Sequence, residues 1–488
     1  MIHESNLVFS LNTVNTSYIF RVNETSHLEH LYYGRRLRTL TSAEALVDKH
    51  TISIGSSVAY DEEHPTLFLE NLCLEFSSYG KGDYREPAVV IQRNNGDRVA
   101  DFVYKGHRIL KGKPRSFAGL AESYGDNKQC STLVVALEDK ISLLRIELYY
   151  TVFEACDVIV RKTALTNGLQ EAVTIERIAS SQLDLFTDDY NVVTFDGAWA
   201  RERYRTVRKL DPGILVSDSK TGLSSNKHNP CIFLVKSDAT ENSGDCYASN
   251  LIYSGDHCET IEVTSYGKVR VLTQINPATF RWTLSSGEKF VTPEAILTFS
   301  HEGLNGASSH FHYFINEHII RGEWKYRQRP VLVNNWEATY FNFTENRLIG
   351  LAKEAASLGA ELFVLDDGWF GTRQDDTSSL GDWTINTKKL PNGLAALSKA
   401  VHQMGMMFGL WCEPEMISKK SELYRQHPDW LVAIPGRETS PGRNQYLLDL
   451  TRKEVREYLF DALSNIWNIG QVDYVKWDMN RPFSDMHS

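Results

Sequence analysis

The clearest chemical signal in this sequence is a run of six residues near its end. The run reads Lys476-Trp477-Asp478-Met479-Asn480-Arg481 and closes an apolar segment that is typical of a strand. Successive side chains of a strand point to opposite faces, so Lys476 and Asp478 are predicted to share a face. An opposite charge favours the ionised form of a carboxylic acid. We therefore expect Asp478 to be a carboxylate, with Lys476 keeping it charged and binding a hydroxyl group.

Polar and aromatic residues recur at or just beyond the ends of successive predicted strands. They are Asp366, Asp367, Trp411, Glu413, Glu415, Lys476, Asp478 and Asn480. Acidic residues after strands also serve as turns and helix N-caps, which is the simpler interpretation for an isolated aspartate such as Asp382 or Asp449. Recurrence at successive strand ends favours a functional site for the set. Pro414 restricts the loop between Glu413 and Glu415, and we interpret these two glutamates as structural or peripheral.

Aromatic rings beside carboxylates are typical of a sugar-binding site. A pyranose ring has an apolar C–H face that stacks on tryptophan, and its hydroxyl groups bind carboxylates. The adjacent pair Asp366 and Asp367 suits neighbouring hydroxyls on one edge of such a ring. A retaining glycosidase also needs an ionised, partly buried carboxylate as nucleophile, and Asp478 fits that role.

The elements that position these residues begin near Pro330, where the pattern becomes strand, helix, strand, helix. The pattern predicts four strands and three helices between residues 331 and 488. Thr344 is predicted to cap the first helix and Gly359 to end it, and Thr451 with Glu454 forms a predicted capping box for the third. Such a series makes half of a (β/α)8 barrel, whose active site lies at the C-terminal ends of the strands.

The preceding part of the chain has a different period. Leu144, Ile146 and Leu148 alternate with Arg145 and Glu147, which predicts antiparallel strands, and about 300 residues of this pattern indicate a large β-sandwich. A short linking helix is predicted at 311–323. We therefore expect an all-β domain over residues 1–325 and an incomplete barrel, about four of eight strands, over residues 326–488.

Composition excludes several classes of function. The net charge of −10 argues against nucleic acid or an anionic membrane as a partner. No apolar run approaches the ~20 residues of a membrane-spanning helix, and the polar start of the chain shows no signal peptide. The seven cysteines lack CxxC spacing, which favours reduced thiols in the cytoplasm over a disulfide framework or a zinc site.

Three motifs of the second half resemble those of the α-galactosidases of glycoside hydrolase family 36. They are Asp366-Asp367-Gly368-Trp369, Trp411-Cys412-Glu413-Pro414-Glu415-Met416 and Lys476-Trp477-Asp478-Met479-Asn480. The first half is also similar to that family's β-supersandwich domain, through the motifs Gly82-Asp83-Tyr84-Arg85-Glu86-Pro87, Gly197-Ala198-Trp199-Ala200-Arg201-Glu202-Arg203 and Thr292-Pro293-Glu294-Ala295. The resemblance extends over essentially the whole chain.

This resemblance implies a retaining enzyme that removes terminal α-linked galactose from melibiose- and raffinose-type sugars. Asp478 would be the nucleophile, and Asp366 and Asp367 would bind the galactose hydroxyls O4 and O6. The other implied pocket residues are Trp411, Arg443, Lys476 and Asn480, with Trp336 packed against the edge. The resemblance also implies no metal, no cofactor, a cytoplasmic location and a homo-oligomer, either a tetramer or a dimer.

One part of the family pattern has no counterpart in this sequence. The resemblance implies a general acid/base two strands beyond Asp478 and past Ser488, so no residue of this chain takes that role. Asp485 follows the nucleophile too closely, since the two carboxyl groups of a retaining enzyme flank the scissile bond at ~5–5.5 Å. The 488-residue polypeptide alone is therefore expected to be inactive.

Two alternatives to an α-galactosidase stay open. The first is a non-catalytic remnant that binds sugar or assists assembly. The second is an α-N-acetylgalactosaminidase or a galactosyltransferase on the same scaffold, which the pocket around the sugar O2 would distinguish.

Overall fold

Apolar residues at alternate positions build antiparallel sheets in the first part of the chain. The computed structural model describes residues 1–40, 42–53, 55–115, 119–139, 141–224 and 227–487. The chain divides into two units, Met1–Lys325 and Tyr326–Ser488. In the strand Leu144–Phe153 of the first unit, Leu144, Ile146 and Leu148 are buried while Arg145 is exposed, as the alternation predicts.

Strands are the main secondary structure of the described part of the first unit. Its strands are β1 (Ile2–Ser5), β2 (Val8–Asn12), β3 (Thr16–Val22), β4 (Leu28–Arg35), β5 (Val89–Gln92), β6 (Phe102–Lys111), β7 (Cys130–Asp139), β8 (Leu144–Phe153), β9 (Val158–Asn167), β10 (Val173–Leu185), β11 (Tyr190–Ala198), β12 (Arg201–Lys209), β13 (Gly213–Asp218), β14 (Cys231–Lys236), β15 (Cys246–Ile252), β16 (His257–Val263), β17 (Val269–Ile275), β18 (Trp282–Leu284), β19 (Lys289–Val291) and β20 (Glu294–Ser300).

These strands form three sheets around a shared core. One sheet has the order β1-β2-β3-β4, and a second has the order β13-β16-β17-β10-β18 with β5 also paired to β10. The third and largest has the order β12-β11-β14-β15-β20-β9-β8-β7-β6 with β19 paired to β9. Phe20, Ile146 and Ile178, one from each sheet, lie in a single apolar cluster. The multidomain chain therefore has an N-terminal sheet domain whose sheets pack through their apolar faces.

The predicted linking helix is longer than expected and begins earlier. Helix α1 runs from Gly303 to His318 and belongs to the first unit. Its buried residues include Ala307, Phe311 and Phe314, which lie in a cluster with side chains of the ten-stranded sheet such as Phe233. The helix is therefore part of the first unit's core, since an apolar helix face is stabilised by burial against a sheet.

The second unit alternates parallel strands with helices. Its strands are β21 (Leu332–Asn334), β22 (Leu362–Leu365), β23 (Met407–Cys412), β24 (Met416–Ile417), β25 (Tyr446–Leu447) and β26 (Tyr474–Trp477). Its helices are α2 (Trp336–Thr339), α3 (Glu345–Ser357), α4 (Leu394–Gln403), α5 (Glu422–Gln426) and α6 (Lys453–Gly470). The parallel sheet has the order β21-β22-β23-β26, and the antiparallel pair β24–β25 forms a separate arm. No helix among the described residues is both long and apolar enough to cross a membrane.

Local signals set both ends of α3 but not the start of α6. The Thr344 hydroxyl accepts the backbone N–H of Arg347, and Gly359 follows α3 with a φ of 89°, so both predictions are confirmed. The predicted capping box at Thr451 is wrong. The Thr451 hydroxyl instead donates to Asp449 at 2.6 Å, and α6 begins two residues later.

A turn between β9 and β10 provides a test of how closely the backbone packs in the first unit. The Asn167 amide donates to the carbonyl of Leu284 at 3.0 Å and anchors the turn, and a Cβ on the next residue, Gly168, would lie 2.3 Å from the carbonyl oxygen of Leu143. The atom that the added Cβ would meet belongs to the backbone, which cannot move aside as the end of a flexible side chain can. Gly168→Ala should therefore lower the free energy of unfolding by about 1–3 kcal/mol, measured by urea denaturation.

Gly106→Ala is the matched control for this substitution. Gly106 lies in β6 of the same unit, and a Cβ there meets no atom within 4 Å. Its effect should stay within about 0.5 kcal/mol. Equal stabilities of the two variants would contradict the close approach at Gly168.

Candidate active site

The candidate site lies where three neighbouring parallel strands end. Leu365 at the end of β22 pairs with Leu410, and Cys412 at the end of β23 pairs with Trp477 of β26. Parallel strands end at the same edge of a sheet. The residues that follow them, namely Asp366, Asp367, Glu413, Asp478 and Asn480, are therefore brought to one edge of this sheet.

Asp366 accepts two hydrogen bonds on one oxygen. The Lys476 ammonium donates to Asp366 Oδ2 at 2.8 Å, and Asn334 Nδ2 donates to the same oxygen at 2.6 Å. The Asp366 backbone N–H donates to Asn335 Oδ1 at 2.8 Å. Two asparagines at the end of β21 thus fix this carboxylate, and sequence reasoning had assigned neither of them to the site.

The partner of Lys476 differs from the prediction. Lys476 was expected beside Asp478, but its ammonium forms an ion pair with Asp366. The strand β26 ends at Trp477, so Asp478 no longer follows the alternation that would place it on the face of Lys476. The long lysine side chain reaches past β23 to the end of β22 instead.

Asp367 is held by a buried arginine. Arg373 Nε and Nη2 donate to Asp367 Oδ1 and Oδ2 at 2.6 and 2.7 Å, and both side chains are buried. Burial raises the pKa of Asp367, and the Arg373 guanidinium opposes that rise. Sequence reasoning missed Arg373, although a buried pair of adjacent aspartates requires cations nearby and this arginine follows them within one loop.

Arg373 is itself fixed by its surroundings. Its Nη1 donates to the carbonyl of Ser378 at 2.6 Å, and its guanidinium lies 5.5 Å from the ring centroid of Phe370. The Lys389 ammonium donates to the Arg373 carbonyl at 2.8 Å. Burial lowers the pKa of Lys389 to about 8. A second basic side chain that the sequence had not indicated therefore supports the same loop.

Asp478 is held by neutral donors on one oxygen. Trp411 Nε1 donates to Asp478 Oδ2 at 3.0 Å, and Asn480 Nδ2 donates to the same atom at 2.6 Å. Within the described part of the chain, Asp478 Oδ1 accepts no hydrogen bond. The Trp411 ring is buried and parallel to Phe370, with 6.0 Å between ring centroids, so its indole N–H is what it presents to Asp478.

Glu413 lies fully buried behind Asp478. Its Oε1 accepts the Asn480 backbone N–H at 2.5 Å, and its Oε2 accepts Gln445 Nε2 at 2.7 Å. Burial, together with the charge of Asp478, raises the pKa of Glu413 to about 7, although the hydrogen bonds from Asn480 and Gln445 oppose the rise. The neighbouring Glu415 accepts Trp477 Nε1 at 2.8 Å. Sequence reasoning did not assign Gln445 to the site.

Two predicted pocket residues lie outside this hydrogen-bond network. Trp336 opens α2, where its ring packs edge-to-face against Tyr340 and Phe341 at 5.3 and 5.0 Å. Arg443 is exposed in the turn between Gly442 and Gln445, with a φ of 49°. Among the described residues, neither side chain bonds to Asp366, Asp367 or Asp478.

The described residues hold no group of three or more His, Cys, Asp or Glu side chains arranged to bind a metal ion.

Comparison with known proteins identifies the family. Residues 26–285 match the model of the glycosyl hydrolase family 36 N-terminal domain, and residues 289–488 match that of melibiase. Alpha-galactosidase AgaA of Geobacillus stearothermophilus is 42% identical over 481 residues, which cover 98% of this chain and 65% of AgaA. This chain thus spans just under two thirds of the length of that relative.

Solved structures agree with this result. The alpha-galactosidase from Lactobacillus brevis is 41% identical with a TM-score of 0.97, covering 100% of this chain and 65% of that one. A variant of AgaA in complex with raffinose is 42% identical with a TM-score of 0.96, covering 99% and 67% of the two chains. Because the family's N-terminal domain model alone matches more than half of the residues and the melibiase model most of the rest, this chain belongs to glycosyl hydrolase family 36.

Proposed function

We propose that this chain carries the nucleophile and most of the galactose-binding groups of a retaining α-galactosidase. Its substrates are proposed to be melibiose- and raffinose-type oligosaccharides that end in α-linked galactose. The observation that carries the proposal is the asymmetric environment of Asp478, where Oδ2 holds both hydrogen bonds and Oδ1 holds none from the described residues. The raffinose bound by the AgaA variant, a relative of the same family, supports the substrate class.

In the proposed mechanism, Asp478 Oδ1 attacks the anomeric carbon of the galactosyl group. A covalent bond forms between carbon and oxygen while the bond to the leaving group breaks, and water then displaces Asp478 from the opposite face. Trp411 and Asn480 donate to Oδ2 throughout, so they orient the carboxylate and stabilise it when it leaves in the second step. No residue of this chain is assigned as the general acid.

The other carboxylates are proposed to bind the sugar. Asp366 and Asp367 would accept the hydroxyls O4 and O6 of galactose, because each is fixed by a cation that holds its charge and orientation. Lys476, which is bonded to Asp366 and lies two residues before Asp478 in the chain, would donate to a further hydroxyl. Arg443 and Trp336 are proposed to line the rim of the pocket, where the rest of the oligosaccharide leaves it.

Three broader features remain proposals. The parallel order β21-β22-β23-β26 with intervening helices supports assigning residues 326–488 to the first half of a (β/α)8 barrel, and residues 1–325 to the β-supersandwich domain. The seven cysteines are all free thiols, which supports a reducing compartment such as the cytoplasm. A homo-oligomer is proposed from the family resemblance alone.

The nucleophile can be tested without a general acid. A fluorinated α-galactosyl fluoride has a leaving group that needs no protonation, and its covalent adduct is stable enough for mass spectrometry. The intact protein should be labelled on Asp478, and Asp478→Asn should lower the labelling rate at least ~10³-fold, as expected for loss of a nucleophile.

Asp485→Asn is the matched control for this experiment. Asp485 is partly exposed and accepts the backbone N–H of Ser440 and the Ser484 hydroxyl, so the same chemical change there should leave labelling unaltered. Labelling of a different residue, or undiminished labelling of Asp478→Asn, would contradict the assignment.

The adjacent aspartates should respond differently to the same substitution. Asp366→Asn leaves Lys476, whose side chain is 37% exposed and can turn to solvent, so folding should survive. Affinity for a galactose-configured iminosugar should nevertheless fall by about 10–100-fold, the order expected for a charge-assisted hydrogen bond. Isothermal titration calorimetry measures this loss.

Asp367→Asn leaves the buried Arg373 without its counter-ion. This variant should lose about 3–5 kcal/mol of folding free energy as well as sugar affinity. Thermal unfolding measures the difference between the two variants, and Asp367→Asn/Arg373→Gln should recover part of the lost stability. Equal stability of Asp366→Asn and Asp367→Asn would contradict the structural role of the buried ion pair.

A further inference from the structure

We propose that Glu413 is a positioning residue for the nucleophile, which it orients through Asn480. The inference rests on the proposed function, because Glu413 can position a nucleophile only if Asp478 is one. Glu413 touches neither the sugar nor the reacting atoms in this assignment. Its role is to hold the segment after β26 in the geometry that leaves Asp478 Oδ1 available.

The hydrogen bonds around Glu413 continue the sheet where the strands have stopped. The last paired residues of β23 and β26 are Cys412 and Trp477. Beyond them, the Asp478 backbone N–H donates to the Cys412 carbonyl at 2.8 Å, and the Asn480 backbone N–H donates to Glu413 Oε1 at 2.5 Å. The Glu413 side chain thus takes the place of a strand carbonyl and anchors the backbone of Asn480.

Anchoring Asn480 fixes the reactive carboxylate. The amide of Asn480 donates to Asp478 Oδ2 at 2.6 Å, which selects the oxygen that is held and leaves the other oxygen to react. Without an acceptor at Glu413, the partly buried Asn480 N–H would lose its partner and the segment would shift. Misplacement of a reacting group by about 1 Å can cost ~10²-fold in rate.

Gln445 can form a hydrogen bond with Glu413 in either of its protonation states. Its Nε2 donates to Glu413 Oε2 at 2.7 Å, while its buried Oε1 has no hydrogen-bond partner among the described residues. Rotation of the amide by 180° would let Oε1 accept from a protonated Glu413. One neighbour can therefore satisfy both forms of Glu413 without rearrangement of the backbone.

Charge links Glu413 to the reaction. The titratable groups that interact with it are Asp478 after β26 and Cys412 on its own segment, while its hydrogen-bond partners Gln445 and Asn480 are neutral. Burial raises the pKa of Glu413 to about 7 and that of the Cys412 thiol to about 12, so Glu413 titrates near neutral pH and Cys412 stays neutral. Asp478 loses its negative charge when it bonds to galactose, and ionised Glu413 favours that loss by repulsion.

The sign of the pH dependence follows from this coupling. The pKa of Glu413 is raised in the folded protein, so the group is protonated below about pH 7 and ionised above it. Ionised Glu413 favours attack by Asp478. The rate of covalent labelling by the fluorinated α-galactosyl fluoride should therefore rise as pH increases through about 7, and a leaving group that needs no proton removes general acid catalysis from the profile.

The decisive variant is Glu413→Gln in the intact protein. Glutamine keeps an oxygen for the Asn480 N–H but cannot titrate. At pH 8, the labelling rate at a saturating concentration of the galactosyl fluoride should fall about tenfold. The galactosyl fluoride concentration that gives half of the maximal rate should change less than about twofold. The increase of the labelling rate through pH 7 should vanish. A glutamate with a purely structural role would lower thermal stability but leave the pH profile unchanged, and that result would overturn the inference.

Two further variants keep the test decisive. Glu415→Gln makes the same change two residues away, at a group bonded to Trp477, and should retain the wild-type pH profile. Gln445→Met removes a hydrogen bond that favours ionised Glu413, so the midpoint of the profile should move to higher pH even if Glu413→Gln does not fold. An unmoved midpoint contradicts the role of Glu413, whereas a wild-type protein that is never labelled on Asp478 contradicts the proposed function itself.

Discussion

The structure of the site depends on holding four carboxyl groups together at one edge of a parallel sheet, where three of them are buried. Ionised carboxyl groups are costly to bury unless each has a hydrogen-bond donor or a counter-ion. Asp366, Asp367, Glu413 and Asp478 meet at this edge because β22, β23 and β26 end beside one another. The surrounding loops and strands supply hydrogen-bond donors to each of these four carboxyl groups.

The donors divide the carboxylates into two classes. Asp366 and Asp367 are paired with the cations Lys476 and Arg373, whereas the hydrogen bonds to Asp478 and Glu413 among the described residues come from neutral N–H groups. A cation fixes a carboxylate and compensates its charge, which suits a group that binds hydroxyls. Neutral donors orient a carboxylate and leave its charge uncompensated, which suits a nucleophile.

Local patterns predicted the elements well where the deciding interactions are local. Thr344 caps α3 because its hydroxyl needs only a backbone N–H three residues away. The capping box at Thr451 failed because Asp449, two residues earlier, binds the same hydroxyl. The linking helix was placed too late because its first turn carries few apolar residues, and burial against the sheet, rather than its own sequence, sets where α1 begins.

The sequence by itself determined which residues could do chemistry and that they follow successive strands, because an apolar run and the polar residues after it are adjacent in the chain. Only the tertiary structure decided which donor each carboxylate receives. Lys476 reaches Asp366 past β23, Arg373 turns back onto Asp367, and Glu413 replaces a strand carbonyl for Asn480. The first and third of these pairings join different strands, and the second depends on how one loop folds back. Neither the reach of a long side chain across neighbouring strands nor the path of a loop has a signature in local spacing.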